Sequence, residues 1–268
     1  MKRIIGYFLL AGALIIGMNG TAMAWGLTGH RIIAEIAQRH LTKKARKNLE
    51  KLIGRAPLAF WANWPDYIKS DTTDKWKQTG PWHYVDLPGH LDKADFIHDL
   101  EGLEGKNLYT QIPEMENLLK NNNLHLEQRQ IALRFLIHFI GDLHQPLHVG
   151  RDEDAGGNKI KVTWFGKPTN LHSVWDSALI EQRALSYSEY AAWLSRAITP
   201  EQVIAWSDST PALWIHESVA LRKTIYPADP ALSWDYAYQH RTELDDRLKR
   251  GGIRIAAYLN AIFDEQKN

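Results

Sequence analysis

The chain has 268 residues, with 32 Lys and Arg against 31 Asp and Glu, and no cysteine. A balance so close to neutral excludes a generic polyanion binder that works through a broad basic face, so any nucleic acid must be drawn by local charge. The lack of cysteine excludes disulfides, and the fold must be held by its core or by metal.

Lys2 and Arg3 precede an apolar run over residues 4–18, and Ala22-Met23-Ala24 has the small-x-small form of a signal-peptidase site. This predicts an export signal over residues 1–24 that is removed, placing the protein in the periplasm or the medium. An uncleaved anchor needs roughly 20 apolar residues, and this run is shorter and broken by glycines. The mature chain then begins at Trp25 with about 244 residues, enough for one sizeable core. Without Lys2 and Arg3 its net charge is about −1. Nothing later is apolar enough to span a membrane, and no obligate protein partner is indicated.

Ile32, Ile33, Ile36, Ala37 and Leu41 keep helical spacing, and Thr42 is placed to cap a second helix that Gly54 ends. An apolar, Trp-bearing segment over 57–68 leads into Trp64-Pro65-Asp66. Residues 70–90 are polar and punctuated by Pro and Gly, which predicts an irregular surface segment. Helical patterns return over 94–103 and 109–119, then over a long segment at 126–144 that Pro146 ends. Residues 151–158 are turn material and 159–165 alternate, predicting a small hairpin. Helices resume over 171–181 and 188–197, Thr199-Pro200-Glu201-Gln202 forms a capping box, and 233–263 is helical with a kink at Gly251-Gly252. With no repeat or linker, residues 25–268 read as a single all-α domain.

His138 and Asp142 lie four residues apart in an apolar run, so on a helix both face one buried side. Burying an aspartate beside an imidazole is costly unless something pairs with them, and a cation is the usual partner. His172 and Asp176 repeat the spacing, with His148 between the pairs. Each pair alone is equally a hydrogen-bonded core pair. Together they suggest a polynuclear metal site, with Asp66, His83, His30 and the mature N-terminus as further candidate ligands.

Trp25-Gly26-x-x-Gly29-His30, Trp64-Pro65-Asp66, Trp82-His83-Tyr84, His138-Phe139-x-Gly141-Asp142-x-His144-Gln145-Pro146-Leu147-His148, Gly156-Gly157-Asn158 and Asn170-Leu171-His172-x-x-Trp175-Asp176 occur in this order. This series resembles the zinc-dependent single-strand nuclease and 3′-nucleotidase family of fungi, plants and bacteria. The resemblance implies a mainly helical domain with a small hairpin and three Zn²⁺ in a cleft. One zinc would be held by Asp66, His83, His138 and Asp142, and a second by His148, His172 and Asp176. The third would take the α-amino nitrogen and carbonyl of Trp25, His30, and the other oxygen of Asp142, with His144 only a neighbour. A zinc-bridging hydroxide would cleave single-stranded DNA and RNA, and 3′-nucleotides, leaving 5′-phosphate on the nucleic-acid products. Asp66, Lys69 and Asp142 would stand at the reacting phosphate, with Lys69 where the family often has arginine. Tyr84 would stack an unpaired base and Asp86 would contact it. Two other readings are a zinc phospholipase C, whose last pair is usually His-x-x-x-Glu, and an exported zinc-binding protein without catalysis.

Overall fold

The computed structural model describes residues 25–89, 96–207 and 210–264, so the predicted leader lies outside the described residues. Helix α1 (Leu27–Arg39) buries His30, Ile33 and Ala37 along one stripe, with Ile32 and Ile36 beside it. Helix α2 (Lys43–Ile53) starts at Thr42, whose hydroxyl accepts the Ala45 N–H, and stops at Gly54. One-turn helices follow at Leu58–Trp61 and Trp64–Tyr67. Helix α3 (Leu108–Lys120) is capped by Asn107 and packs against α4 (Leu126–Asp142). Helices α5 (Tyr187–Arg196), α6 (Pro211–Ile225) and α7 (Arg241–Asp264) complete the frame, and α1 packs against α4, α5 and α7. None of the helices among the described residues is long and apolar enough to cross a membrane.

A hairpin is present, but it turns at Phe165-Gly166 rather than within residues 151–158, and only its first strand lies in the alternating stretch 159–165. Strand β1 (Lys161–Trp164) runs antiparallel to β2 (Lys167–Asn170), with Lys161 opposite Asn170 and Trp164 opposite Lys167. A short β3 (Ala231–Leu232) adds to β1 in parallel, opposite Thr163 and Trp164. The sequence did not signal β3, because two residues carry no alternating pattern of their own.

Five other segments depart from expectation. Of the segment expected over 70–90, residues 70–89 are described and are not a loose surface loop: Asp74–His83 forms tight 3-10 turns that bury Thr79 and His83. Beyond them the Val85 N–H donates to His148 O at 2.8 Å and the Leu87 N–H to Gly150 O at 3.0 Å. Those partners are more than 60 positions away, so local composition could not reveal them. The helix expected over 94–103 is Phe96–Glu101, residues 94 and 95 lying outside the described set. Helix α4 ends at Asp142, not at Pro146, which instead opens the turn Pro146–Val149. Helix α6 had no clear sequence signal. In the last segment the break falls at His240, between Trp234–Gln239 and α7, while α7 runs unbroken through Gly251-Gly252. There the glycines serve close packing: a Cβ on Gly252 would sit 2.4 Å from Ile36 Cγ2 of α1.

Candidate metal centre

The last two turns of α4, residues 135–142, are buried on every side. His138 and Asp142 are therefore presented to protein atoms alone. Five other elements converge on this place. Helix α1 brings His30, whose ring stacks on His138 at 3.8 Å between centroids. The Trp64–Tyr67 turn brings Asp66, the end of the 3-10 turns brings His83, and the Pro146–Val149 turn brings His148. His172 and Asp176 come from Leu171–Glu181, which is helical as predicted but with one wide, π-type turn at Val174–Ala178. Such turns are frequent at functional sites.

The two oxygens of Asp142 face different partners. Oδ2 lies 3.2 Å from His83 Nδ1 and 3.3 Å from His138 Nε2, whereas Oδ1 lies 3.2 Å from His30 Nε2. Asp66 Oδ1 lies 3.7 Å from His138 Nε2 and 3.9 Å from His83 Nδ1. On the other side, Asp176 Oδ2 is 3.2 Å from His172 Nε2, and Oδ1 is 3.5 Å from His148 Nε2. Three sets thus have their donor atoms within 4.8 Å of one another: His83, His138 and Asp142; His148, His172 and Asp176; and His30, Asp66 and His138. Trp25 is held beside them by its indole N–H, which donates to Gly141 O at 2.8 Å. The Gly26 N–H also donates to Asp176 O at 2.7 Å. Trp25 and Gly26 thereby touch both the segment of Asp142 and that of Asp176.

The donor chemistry fits a metal. His138 Nδ1–H donates to Ala62 O, His148 Nδ1–H to His83 O and His172 Nδ1–H to Gly156 O, at 2.7, 2.8 and 2.7 Å. A carbonyl can only accept, so each ring carries its proton on Nδ1 and keeps a bare lone pair on Nε2 when neutral. His30 Nε2, His148 Nε2, His172 Nε2, Asp66 Oδ2 and both oxygens of Asp142 are buried without a hydrogen-bond partner. Buried orphans are rare singly, and six at one locus call for a cation. Nitrogen and carboxylate donors at this density suit zinc.

Electrostatics agree. Burial, reinforced by neighbouring histidines or Lys69, holds His30, His83 and His138 well below the usual histidine pKa, so they are neutral donors. Burial and then Asp66 push Asp142 well above the usual carboxylate range when no cation is present. At Asp176 burial acts upward too, but His172 and His148 outweigh it and the carboxylate is lowered. His144 stands apart, with Nδ1 bonded to Ile140 O at 2.7 Å and Nε2 receiving Arg254 Nη1–H at 2.9 Å. It is a neighbour, as expected.

His83, His148 and His172 of these sets line a cavity of about 600 Å³, with Lys69, Tyr84, Asp86 and Asn158 among its other walls. Lys69 Nζ–H donates to Asp66 Oδ1 at 2.8 Å. Tyr84 is 43 % exposed, not a core tyrosine. Burial and the nearby Asp152 push the Asp86 carboxyl up to about 6. Gly156 has φ +59° and carries the carbonyl that orients His172; a Cβ there would meet Leu147 O at 2.4 Å, so only glycine fits. Sequence reasoning did not assign roles to Asn158 in the cavity wall or to Gln145, whose Nε2–H donates to Asp176 Oδ1 at 2.6 Å. Both stand inside motif blocks, which was the available signal.

Helices that gather buried histidines and aspartates beside a cleft define a helical domain with clustered donors that could hold metal. Its fold is shared with the Clostridium perfringens alpha-toxin, at a TM-score of 0.51 and 17 % identity over 92 % of this chain and 65 % of the toxin. The alpha toxin of Clostridium absonum matches at 0.50 and 14 %, over 91 % of this chain and 64 % of that one. The chain thus spans just under two thirds of those toxins, and the likeness is one of fold.

Residues 25–264 match the S1/P1 nuclease family, and the chain belongs to it. Endonuclease 4 of Arabidopsis thaliana is 32 % identical over 93 % of this chain and 92 % of its own length. Nuclease P1 of Penicillium citrinum is 30 % identical over 90 % and 99 %, and nuclease S1 of Aspergillus oryzae 29 % over 94 % and 96 %. By that membership the chain is a nuclease, a hydrolase of phosphodiester bonds.

Proposed function

We propose that the mature chain is an exported, three-zinc phosphodiesterase that hydrolyses single-stranded DNA and RNA to 5′-phosphate products and also removes 3′-phosphate from nucleotides. The observation that carries this reading is the set of six buried, partnerless donor atoms, of which those of His148 and His172 belong to residues that line an open cleft. Bound zinc supplies Lewis-acid polarisation of the phosphate and water acidic enough to attack near neutral pH. Asp66, His83, His138 and Asp142 would hold one ion, and His148, His172 and Asp176 another. His30, the free oxygen of Asp142 and the Trp25 terminus would hold the third.

The protein's own groups do the rest. Asp66 Oδ2, with no partner, can take the proton of an attacking water while Oδ1 stays bonded to Lys69. The Lys69 ammonium supplies positive charge at the cleft wall for a phosphate. Cleavage of the P–O3′ bond leaves the phosphate on the 5′ side and a 3′-hydroxyl on the leaving strand. Tyr84 offers a ring to a splayed base, which a duplex does not present. Export rests on the pattern of residues 1–24 and on the buried place of Trp25 at the predicted mature terminus.

The test is zinc analysis of the purified mature chain together with product assays on single-stranded DNA, RNA and phosphatidylcholine vesicles. Three zinc per chain and 5′-mononucleotide products are expected. Hydrolysis of the lipid alone would favour the phospholipase reading, and retained zinc without phosphoester hydrolysis would favour a binding protein.

A further inference from the structure

The end of α4 is finished by side chains from distant parts of the chain. Helices leave their last carbonyls without intrahelical partners, and here that end is buried, so each must be satisfied locally. Leu143 O accepts Ser218 Oγ–H at 2.8 Å and Arg247 Nη2–H at 3.1 Å, and His144 O accepts Arg247 Nε–H at 3.0 Å. Arg247 is almost wholly buried and its charge is met by Glu217 Oε2 at 2.7 Å. The turn at residues 143–144 is therefore clamped in place by one guanidinium and one hydroxyl.

Gln145 follows directly on that clamp and is fully buried. Its Oε1 accepts the Leu147 N–H at 2.6 Å, which fixes the amide so that Nε2 must point the other way, as a donor. Nε2–H donates to Asp176 Oδ1 at 2.6 Å, and the Gln145 backbone N–H donates to Asp142 O at 3.0 Å. One residue thus ties the segment of Asp142 to the carboxylate of Asp176, which belongs to a different ligand set. The bond occupies one lone pair of Oδ1 and holds Oδ2 toward His172. Without it the carboxylate is free to rotate about its Cβ–Cγ bond.

We propose that Gln145, kept in register by the Arg247 clamp, is the positioning residue for Asp176 in the His148, His172 and Asp176 set. The proposal rests on the metal-centre reading. Partners that orient a ligating side chain are typically worth tenfold to a hundredfold in metal affinity.

The experiment titrates metal-free, full-length mature protein with Zn²⁺ in competition with a chromogenic chelator, and in parallel records the melting temperature of the metal-free protein. Gln145→Met, which keeps length and removes the amide, is expected to weaken one of the bound ions by about tenfold to a hundredfold. The other ions should stay as in wild type, while the metal-free melting temperature should fall by a few degrees because the buried Leu147 N–H loses its acceptor. Arg247→Lys, which leaves Gln145 in place but loosens the turn, should weaken that same ion by a smaller factor. Should Gln145→Met not fold, Gln145→Asn withdraws the amide by one methylene and is read in the same way. Unchanged affinities in the Gln145 variant overturn the proposal, as does an equal weakening of every ion. A wild-type chain that binds no zinc overturns the metal-centre reading, and this proposal with it.

Discussion

Asp142 has no solvent exposure, and its two oxygens face different histidines: His30 on one side, His83 and His138 on the other. Asp142→Asn removes the charge and turns one oxygen into a donor nitrogen, so one ion should lose a ligand while the other keeps only a neutral amide oxygen. Metal analysis is expected to find at least one zinc fewer per chain and turnover lower by about a hundredfold. A variant with all its zinc and normal turnover would refute the bridging role. Tyr84→Ala should act otherwise, on binding. Base–aromatic stacking is worth about 1–3 kcal/mol, so KM for a single strand should rise about tenfold or more while kcat changes little. A kcat loss at constant KM would place Tyr84 elsewhere in the reaction.

At the scale of elements, the α1–α7 contact and the Glu217 cluster carry separate consequences. Alanine for glycine in a helix interior ordinarily stabilises by about 1 kcal/mol. Gly252→Ala would instead drive a methyl group to 2.4 Å from Ile36 Cγ2 and 3.1 Å from Ile33 O. Overpacking of that kind costs about 1–3 kcal/mol, and the melting temperature should fall by several degrees. A rise would mean that α1 and α7 separate freely. Glu217 on α6 binds Arg247, Arg250 and Arg254 of α7. Burial works against its ionisation, but the Arg254 hydrogen bond and the three guanidinium charges outweigh it and lower its pKa to about 2. A carboxylate lowered by folding adds stability that is complete above its unfolded value, near 4.5, and is lost as pH falls toward the folded one. Urea unfolding of the zinc-stripped protein should show Glu217→Gln about 2 kcal/mol less stable at pH 7, after allowance for the carboxylate's partial exposure. The gap should narrow steadily from about pH 4.5 toward pH 2. A gap that ignores pH would assign the loss to packing.

For the whole molecule, the lack of disulfides means that, on the three-zinc reading, the cost of assembling the buried Asp66, Asp142 and Asp176 would fall on the metals. Ions that bind only the folded chain stabilise it by mass action. Chelation is therefore expected to lower the melting temperature by about ten degrees or more, with recovery on adding Zn²⁺. An unchanged melting temperature would show that packing of α1, α4 and α7 suffices without metal. The near-neutral net charge follows the same logic: with metals concentrating positive charge in the cleft, a basic face is unnecessary for attracting phosphate.

Local pattern determined much of this protein. The spacing of His138 and Asp142, and of His172 and Asp176, placed each pair on one face because helical period is a property of the sequence itself. The caps at Thr42 and Thr199, the strand at 161–164 and the helical class were legible for the same reason: each depends on residues within a few positions of one another. Assignment of single histidines and aspartates to particular ions came only from the ordered motif series. What tertiary structure alone decided are the relations across long stretches of chain. It buried His83 by pairing residues 85–87 with 148–150, ended α4 at Asp142 with carbonyls finished by Trp25, Ser218 and Arg247, and set Gln145 against Asp176. Those bonds join residues from 31 to 116 positions apart. No local propensity encodes them, because their free energy is realised only once the core has closed around both partners.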